Sequence, residues 1–167
     1  NNFKNYSFIL IQEYSNKFDN NLSKIEITNL NYISDKRILK YFDDFIGKSI
    51  FLIPMRKTAD NILAIKWINN ISIKSDYKNT IRISLEEEVP LGVYYNNKQE
   101  ILFSNNLIVL EILDTKKNFS GLLKFYGKNS IPNSKTLLLN LGNNFKDNVE
   151  SAIFIEDRRW NLKLNNQ

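Results

Sequence analysis

The chain contains no cysteine and no histidine among its 167 residues. Without cysteine there is no disulfide framework, no thiolate nucleophile and no thiolate metal site. Without histidine the commonest general base and the commonest zinc ligand are gone. Metalloprotease, Ser-His-Asp and Cys-His chemistries are therefore excluded. Glycine is scarce, at five residues, and none falls in a phosphate-cradling spacing. No acidic loop has a calcium-binding pattern. The longest apolar runs, Phe8–Ile11, Ile50–Met55 and Leu137–Leu139, are core-sized and far below the roughly 18 residues of a membrane span.

What is present is an ordinary globular composition, 43% hydrophobic and 25% charged. The length suits one average domain or two small ones. Asparagine (26), isoleucine (22) and lysine (18) dominate while alanine stands at three, the residues of A/T-rich codons. The four Asn-x-Ser/Thr sequons, at Asn5, Asn21, Asn70 and Asn118, match the roughly three that such a composition yields by chance. The formal charge is +5, with +2 in residues 1–90 and +3 in residues 91–167. A nucleic-acid binder concentrates its basic residues on one face, and this thin spread argues against one. The chain opens on Asn1 and stops in a strand-like stretch at Asn165-Asn166-Gln167, so a piece of a longer protein is expected.

Tyr6, Ile9, Leu10 and Tyr14 recur at helical spacing. Ile25 and Ile27 alternate in a strand. Ser34 is placed to cap a helix running through Phe45, with Ile38, Leu39, Phe42 and Phe45 on one stripe and Gly47 closing it. Ile50–Ile53 reads as extended, and Pro54 precedes a second helix from Arg56 to about Trp67. Ile71 and Ile73, then Ile81, Ile83 and Leu85, alternate in two strands around the loop 75–80. The order β-α-α-β-β makes a three-stranded sheet with two helices on one face. Beyond Pro90 the pattern turns to mostly antiparallel β. It has strands at Gly92–Tyr95, Glu100–Ser104, Ile108–Glu111 and Leu122–Tyr126, and turn pairs at Asn96-Asn97 and Asn105-Asn106. A helix capped by Ser134 runs to Leu141, and Val149–Glu156 and Arg159–Leu164 form a final pair. The fold class is α+β. The divisions are an N-terminal arm (1–21), the α/β unit (22–90) and the β-region (91–167), with Glu88 and the stiffening Pro90 at the junction.

Asp43-Asp44 reads as a solvated helix end. Adjacent strand residues face opposite ways, so Glu86, Glu87 and Glu88 cannot converge on one substrate and read as a charged strand end. Ser75 and Lys78 share the spacing of some acyl-enzymes, but in a hairpin loop without partner motifs. Arg158-Arg159-Trp160 is the polar cluster with most to offer. Arginine and tryptophan dominate interface hot spots, and a core tryptophan beside ion-paired arginines accounts for the same residues equally well. Alternation puts Arg159 opposite Arg158 and Trp160. No catalytic residue, metal ligand or cofactor site is expected.

Taken in order, several segments resemble one family. They are Ile25-Glu26-Ile27 with Ser34…Ile38, Gly47-Lys48-Ser49-Ile50-Phe51, Ile65-Lys66-Trp67-Ile68 and Thr80–Pro90 with its closing glutamates and proline. Ile101–Ser104 with Leu107–Val109, Leu122–Gly127, and Arg158–Leu164 follow. Together they resemble the extracytoplasmic part of the bacterial cell-division proteins FtsQ and DivIB, over about Leu22 to Asn166. Asn29 and Asn106 stand where that family has glycine, and asparagine accepts the left-handed turn. The resemblance implies a POTRA domain at 22–90, a β-domain at 91–167 lacking its last strands, and a juxtamembrane arm at 1–21. It implies a membrane helix upstream and a place on the periplasmic face of the inner membrane at the septum. It implies a non-enzymatic scaffold that binds FtsB and FtsL and, through them, helps recruit and regulate the septal peptidoglycan synthase FtsW–FtsI. It points to Arg158 or Arg159 as an ion-pair donor to FtsB, with Trp160 in support. The FtsB-receiving edge strand is expected beyond Gln167. The other reading carried forward is a POTRA module of an outer-membrane translocation or assembly factor. A cell-wall enzyme or accessory domain and a nucleic-acid binder rank behind it.

Overall fold

A computed structural model describes residues 2–96, 99–113, 119, 121–142, 145 and 147–165. Asn97 of the first turn pair, the sequon at Asn118, and Asn166 and Gln167 lie outside the described residues. The chain divides into two compact units, Asn1–Glu87 and Glu88–Gln167.

The first unit runs α1 (Asn2–Phe18), β1 (Lys24–Thr28), α2 (Asp35–Leu39), α3 (Met55–Leu63), β2 (Ile68–Ser75) and β3 (Thr80–Glu87). Strand β3 lies in the middle, parallel to β1 and antiparallel to β2. Its alternation sends Ile81, Ile83 and Leu85 into a core shared with Leu22, Ile38, Phe42 and Ile62. Burying each such side chain stabilises by about 1.5–3 kcal/mol. Ser34 caps α2 as expected, its hydroxyl accepting from the Lys36 N–H. The helix is shorter than its apolar stripe suggests. It stops at Leu39, and a separate 3-10 turn at Asp43–Phe45 follows. Residues 50–52 are likewise a 3-10 turn and not an extended stretch. Helix α3 ends at Leu63, and Ile65 and Trp67 reach the core from the turns behind it.

The second unit runs β4 (Pro90–Asn96), β5 (Gln99–Ser104), β6 (Val109–Ile112), β7 (Leu123–Tyr126), α4 (Ser130–Asn140), β8 (Val149–Ile155) and β9 (Arg159–Leu164). They form one sheet in the order β6-β5-β4-β7-β8-β9. Its wings are antiparallel hairpins, but β4 pairs with β7, and β7 with β8, in parallel. Parallel neighbours need a long crossover, and α4 is the crossover between β7 and β8. Phe103, Phe125, Leu137 and Ala152 make the core under α4. Helix α4 starts at Ser130, four residues before the expected cap. Pro132 sits in its first turn, where a missing N–H costs nothing. Ser134 is a buried interior residue whose hydroxyl donates to the Ile131 carbonyl at 2.7 Å.

Candidate interaction site

The β8–β9 hairpin carries the arginine–tryptophan cluster. Its register runs from Val149↔Leu164 to Ile155↔Arg159. The turn places Glu156 and Asp157 at φ 48° and 54°, with the Arg158 N–H donating to the Ile155 carbonyl at 3.1 Å. Positive φ at both central residues marks a type I′ turn, the form that matches strand twist. Asp157 accepts from the Asn129 amide at 3.0 Å, which ties the turn to the start of α4. Glutamate is an ill-suited occupant of left-handed backbone. Replacing it by asparagine at 156 is expected to raise stability by about 0.5 kcal/mol, read as a higher urea midpoint at unchanged slope. An unchanged or lower midpoint would show that the turn stores no such strain.

Strand alternation then separates the cluster. Trp160 and Leu162 turn to the core. The Trp160 ring lies 4.6 Å from that of Phe154 and 5.9 Å, edge-on, from that of Phe125. Arg159, Asn161 and Lys163 turn to the outer face and are exposed. Arg158 is not on the strand at all: it sits in the turn and pairs with the Glu156 carboxylate, both side chains largely in water. Lys163 (2.7 Å) and Lys124 (3.6 Å) both reach Glu150. The hydrogen bond and charge of Lys163, with help from Lys124, hold the Glu150 carboxyl below its ordinary range, and Glu150 in turn raises Lys163. Strand β9 ends the sheet order, so its outer edge carries no strand of the described residues.

Glu88 opens the second unit and is buried, its two carboxylate oxygens receiving the Asn106 amide at 3.1 and 3.2 Å. Asn106 therefore holds a carboxylate, while the left-handed residue of that turn is Leu107, at φ 62°; Asn29 is left-handed as expected, at φ 66°. Pro90 begins β4 opposite Ser104, with a register break before Gly92. Reading Glu86, Glu87 and Glu88 together as a charged strand end is corrected, since Glu88 is buried and so is Glu87. Glu87 continues the inward face of Ile81, Ile83 and Leu85. It accepts the backbone N–H groups of Asn31, Tyr32 and Ile33 at 2.5–3.2 Å. The period-2 pattern of β3 already contained that signal. Glu86 is the exposed member, bonded to Asn69 at 3.1 Å. Ser75 accepts the Tyr77 N–H as a turn residue. Among the described residues no three acidic side chains gather closely enough to hold a metal ion. No helix among them is long and apolar enough to cross a membrane. Among the described residues, the hairpin's outer face and turn present the exposed Arg158, Arg159 and Lys163.

Residues 20–88 match the family model for the POTRA domain, FtsQ-type. Over 163 residues, 96% of the chain, it is 26% identical to the cell division protein FtsQ of Rickettsia conorii, covering 60% of that protein. It is 37% identical to the cell division protein DivIB of Clostridium acetobutylicum over 78 residues, 46% of this chain and 29% of that one. With FtsQ of Rhizobium meliloti it shares 23% over 120 residues, 71% of this chain and 38% of the relative. The chain thus spans about 60% of the length of its Rickettsia relatives.

Proposed function

We infer that this chain, which belongs with the FtsQ/DivIB cell-division proteins, works as a non-enzymatic scaffold of the division machinery. In this reading it stands on the periplasmic face of the inner membrane at the septum, held by a membrane helix outside this sequence. It binds FtsB and FtsL and through them helps recruit and regulate the septal synthase FtsW–FtsI. The observation that carries the reading is an FtsQ-type POTRA domain followed by a β-unit whose last described hairpin presents the exposed Arg158 and Arg159. The edge strand that would receive the partner is expected beyond Gln167. Trp160 supports the hairpin from the core side, and Glu88 and Pro90 mark the passage from one unit to the next.

The test is binding of a peptide from the membrane-proximal periplasmic part of FtsB of the same organism. Three forms are compared: this chain, a form extended past Gln167, and the extended form with Arg158→Glu and Arg159→Glu. Binding by the extended form that the charge reversals abolish is the expected result. No binding by the extended form removes FtsB docking and shifts weight to the translocation-type POTRA reading.

A further inference from the structure

Helix α1 is inside out for a helix in water. The face it lays on the first unit is polar. Ser15 is fully buried, its hydroxyl 2.6 Å from that of Ser49. The Gln12 side-chain carbonyl accepts the Ser49 N–H at 2.8 Å, and its amide donates to Asn21 at 3.0 Å. The apolar residues are the ones left out: Tyr6, Phe8, Ile9, Leu10 and Ile11 are all exposed, at 37–64%. A surface helix in water has the reverse arrangement. Successive helical residues step by about 100°, so Phe8, Ile9, Leu10 and Ile11 face all sides of the helix in turn. Further along, Tyr14 and Phe18 are exposed too, their rings 4.5 Å apart. With Tyr6 and Leu10 they form a row at i, i+4 spacing, away from Ser15.

We propose that the Tyr6–Ile11 segment of α1 is immersed in the headgroup–acyl boundary of a lipid bilayer, with the Gln12–Ser15–Ser49 clamp holding the first unit against that surface. The inference rests on the membrane-side placement of the scaffold reading and deepens it. A protein partner covers one side of a helix, whereas a turn that is apolar all round calls for a medium that surrounds it. The lengths agree. Tyr6 to Ile11 makes about 9 Å of helix at 1.5 Å per residue, and interfacial helices sink roughly 5–10 Å. Entering at a slant, α1 lays Tyr14 and Phe18 along the headgroups, where aromatic rings are favoured. This immersion is separate from any spanning segment, since α1 itself is not long and apolar enough to cross.

The chain has no cysteine, so a single introduced one carries a label alone. Phe8→Cys, Ile9→Cys, Leu10→Cys, Ile11→Cys and, as control, Asn16→Cys are labelled with an environment-sensitive fluorophore and mixed with phosphatidylcholine vesicles. All five sites are exposed. Neutral lipid is used because a chain of charge +5 adheres to anionic surfaces without inserting. Vesicles with nitroxide-bearing acyl chains are expected to quench all four labels at 8–11 about fivefold more than the label at 16. The Ile9→Asp/Leu10→Asp double variant should float with vesicles about tenfold less than the unaltered chain. Leu139→Asp, at an exposed leucine of the second unit, should leave flotation unchanged. Quenching confined to one side of the helix overturns the immersion, as does flotation that is absent or indifferent to the double variant. So does a chain that pairs without lipid and is made monomeric by the double variant, which assigns α1 to a second copy. None of these results touches FtsB binding, read on its own with the extended form. Vesicle binding without FtsB binding leaves the immersion standing and removes the partner.

Discussion

Gly127→Ala is expected to cost about 4 kcal/mol and to leave the second unit unfolded or marginal. Gly127 follows β7 and turns the chain toward α4 at φ +95°. A side chain in left-handed backbone costs about 1–2 kcal/mol by itself. Here a Cβ would also stand 2.2 Å from the carbonyl oxygen of Phe154. That atom is backbone in β8, fixed between β7 and β9, so it cannot swing aside as a flexible side chain would. Forcing such an overlap adds about 1–3 kcal/mol. The control is Gly121→Ala, where nothing lies within 4 Å and a change below about 0.5 kcal/mol is expected. Trp160 sits against Phe125 and Phe154, so its fluorescence during urea unfolding, in a Trp67→Phe background, reads both variants. A Gly127→Ala midpoint close to that of Gly121→Ala would mean that β8 yields and the close approach is not fixed.

That glycine shows where the sequence stops being legible. Its place at the end of Leu122–Gly127 can be read from the chain, but the carbonyl it must avoid belongs to a strand 27 residues later. Alternation found the strands because side-chain period is local. It says nothing about the direction of a neighbour, and the parallel pairs β4–β7 and β7–β8 lie in a region whose pattern predicts mostly antiparallel pairing. Capping signals are local too, and Ser34 behaves as read. Ser134 does not: the helix begins four residues earlier, at Ser130, and takes Pro132 into its first turn. At the candidate site, alternation correctly sets Arg159 against Trp160. It fails for Arg158, since that residue closes the turn begun at Ile155 and lies before the first paired residue of β9, Arg159.

Glu87→Ala is expected to destabilise the first unit by about 3 kcal/mol, while Glu86→Ala, one residue away, changes it by less than about 0.5 kcal/mol. The contrast follows from the pleat. Glu86 points to solvent, and Glu87 points inward behind Ile81, Ile83 and Leu85. Its carboxylate there gathers three successive N–H groups, of Asn31, Tyr32 and Ile33, an anion nest made by the loop between β1 and α2. Hydrogen bonds to a charged acceptor contribute about 1.5–3 kcal/mol each, and donors left without one bear a further desolvation cost. Water reaching the half-exposed loop recovers part of that, which sets the figure near 3. Glu87→Gln keeps one acceptor oxygen but turns an amide N–H₂ toward N–H donors, so about half of the loss should persist. The loop carries Tyr32, whose ring lies 5.3 Å from that of Trp67, so releasing it should also shift Trp67 emission. If Glu87→Ala unfolds at the same urea concentration as Glu86→Ala, with Trp67 emission unchanged, the loop is held by its own turn and core contacts, and the buried carboxylate contributes nothing to the first unit.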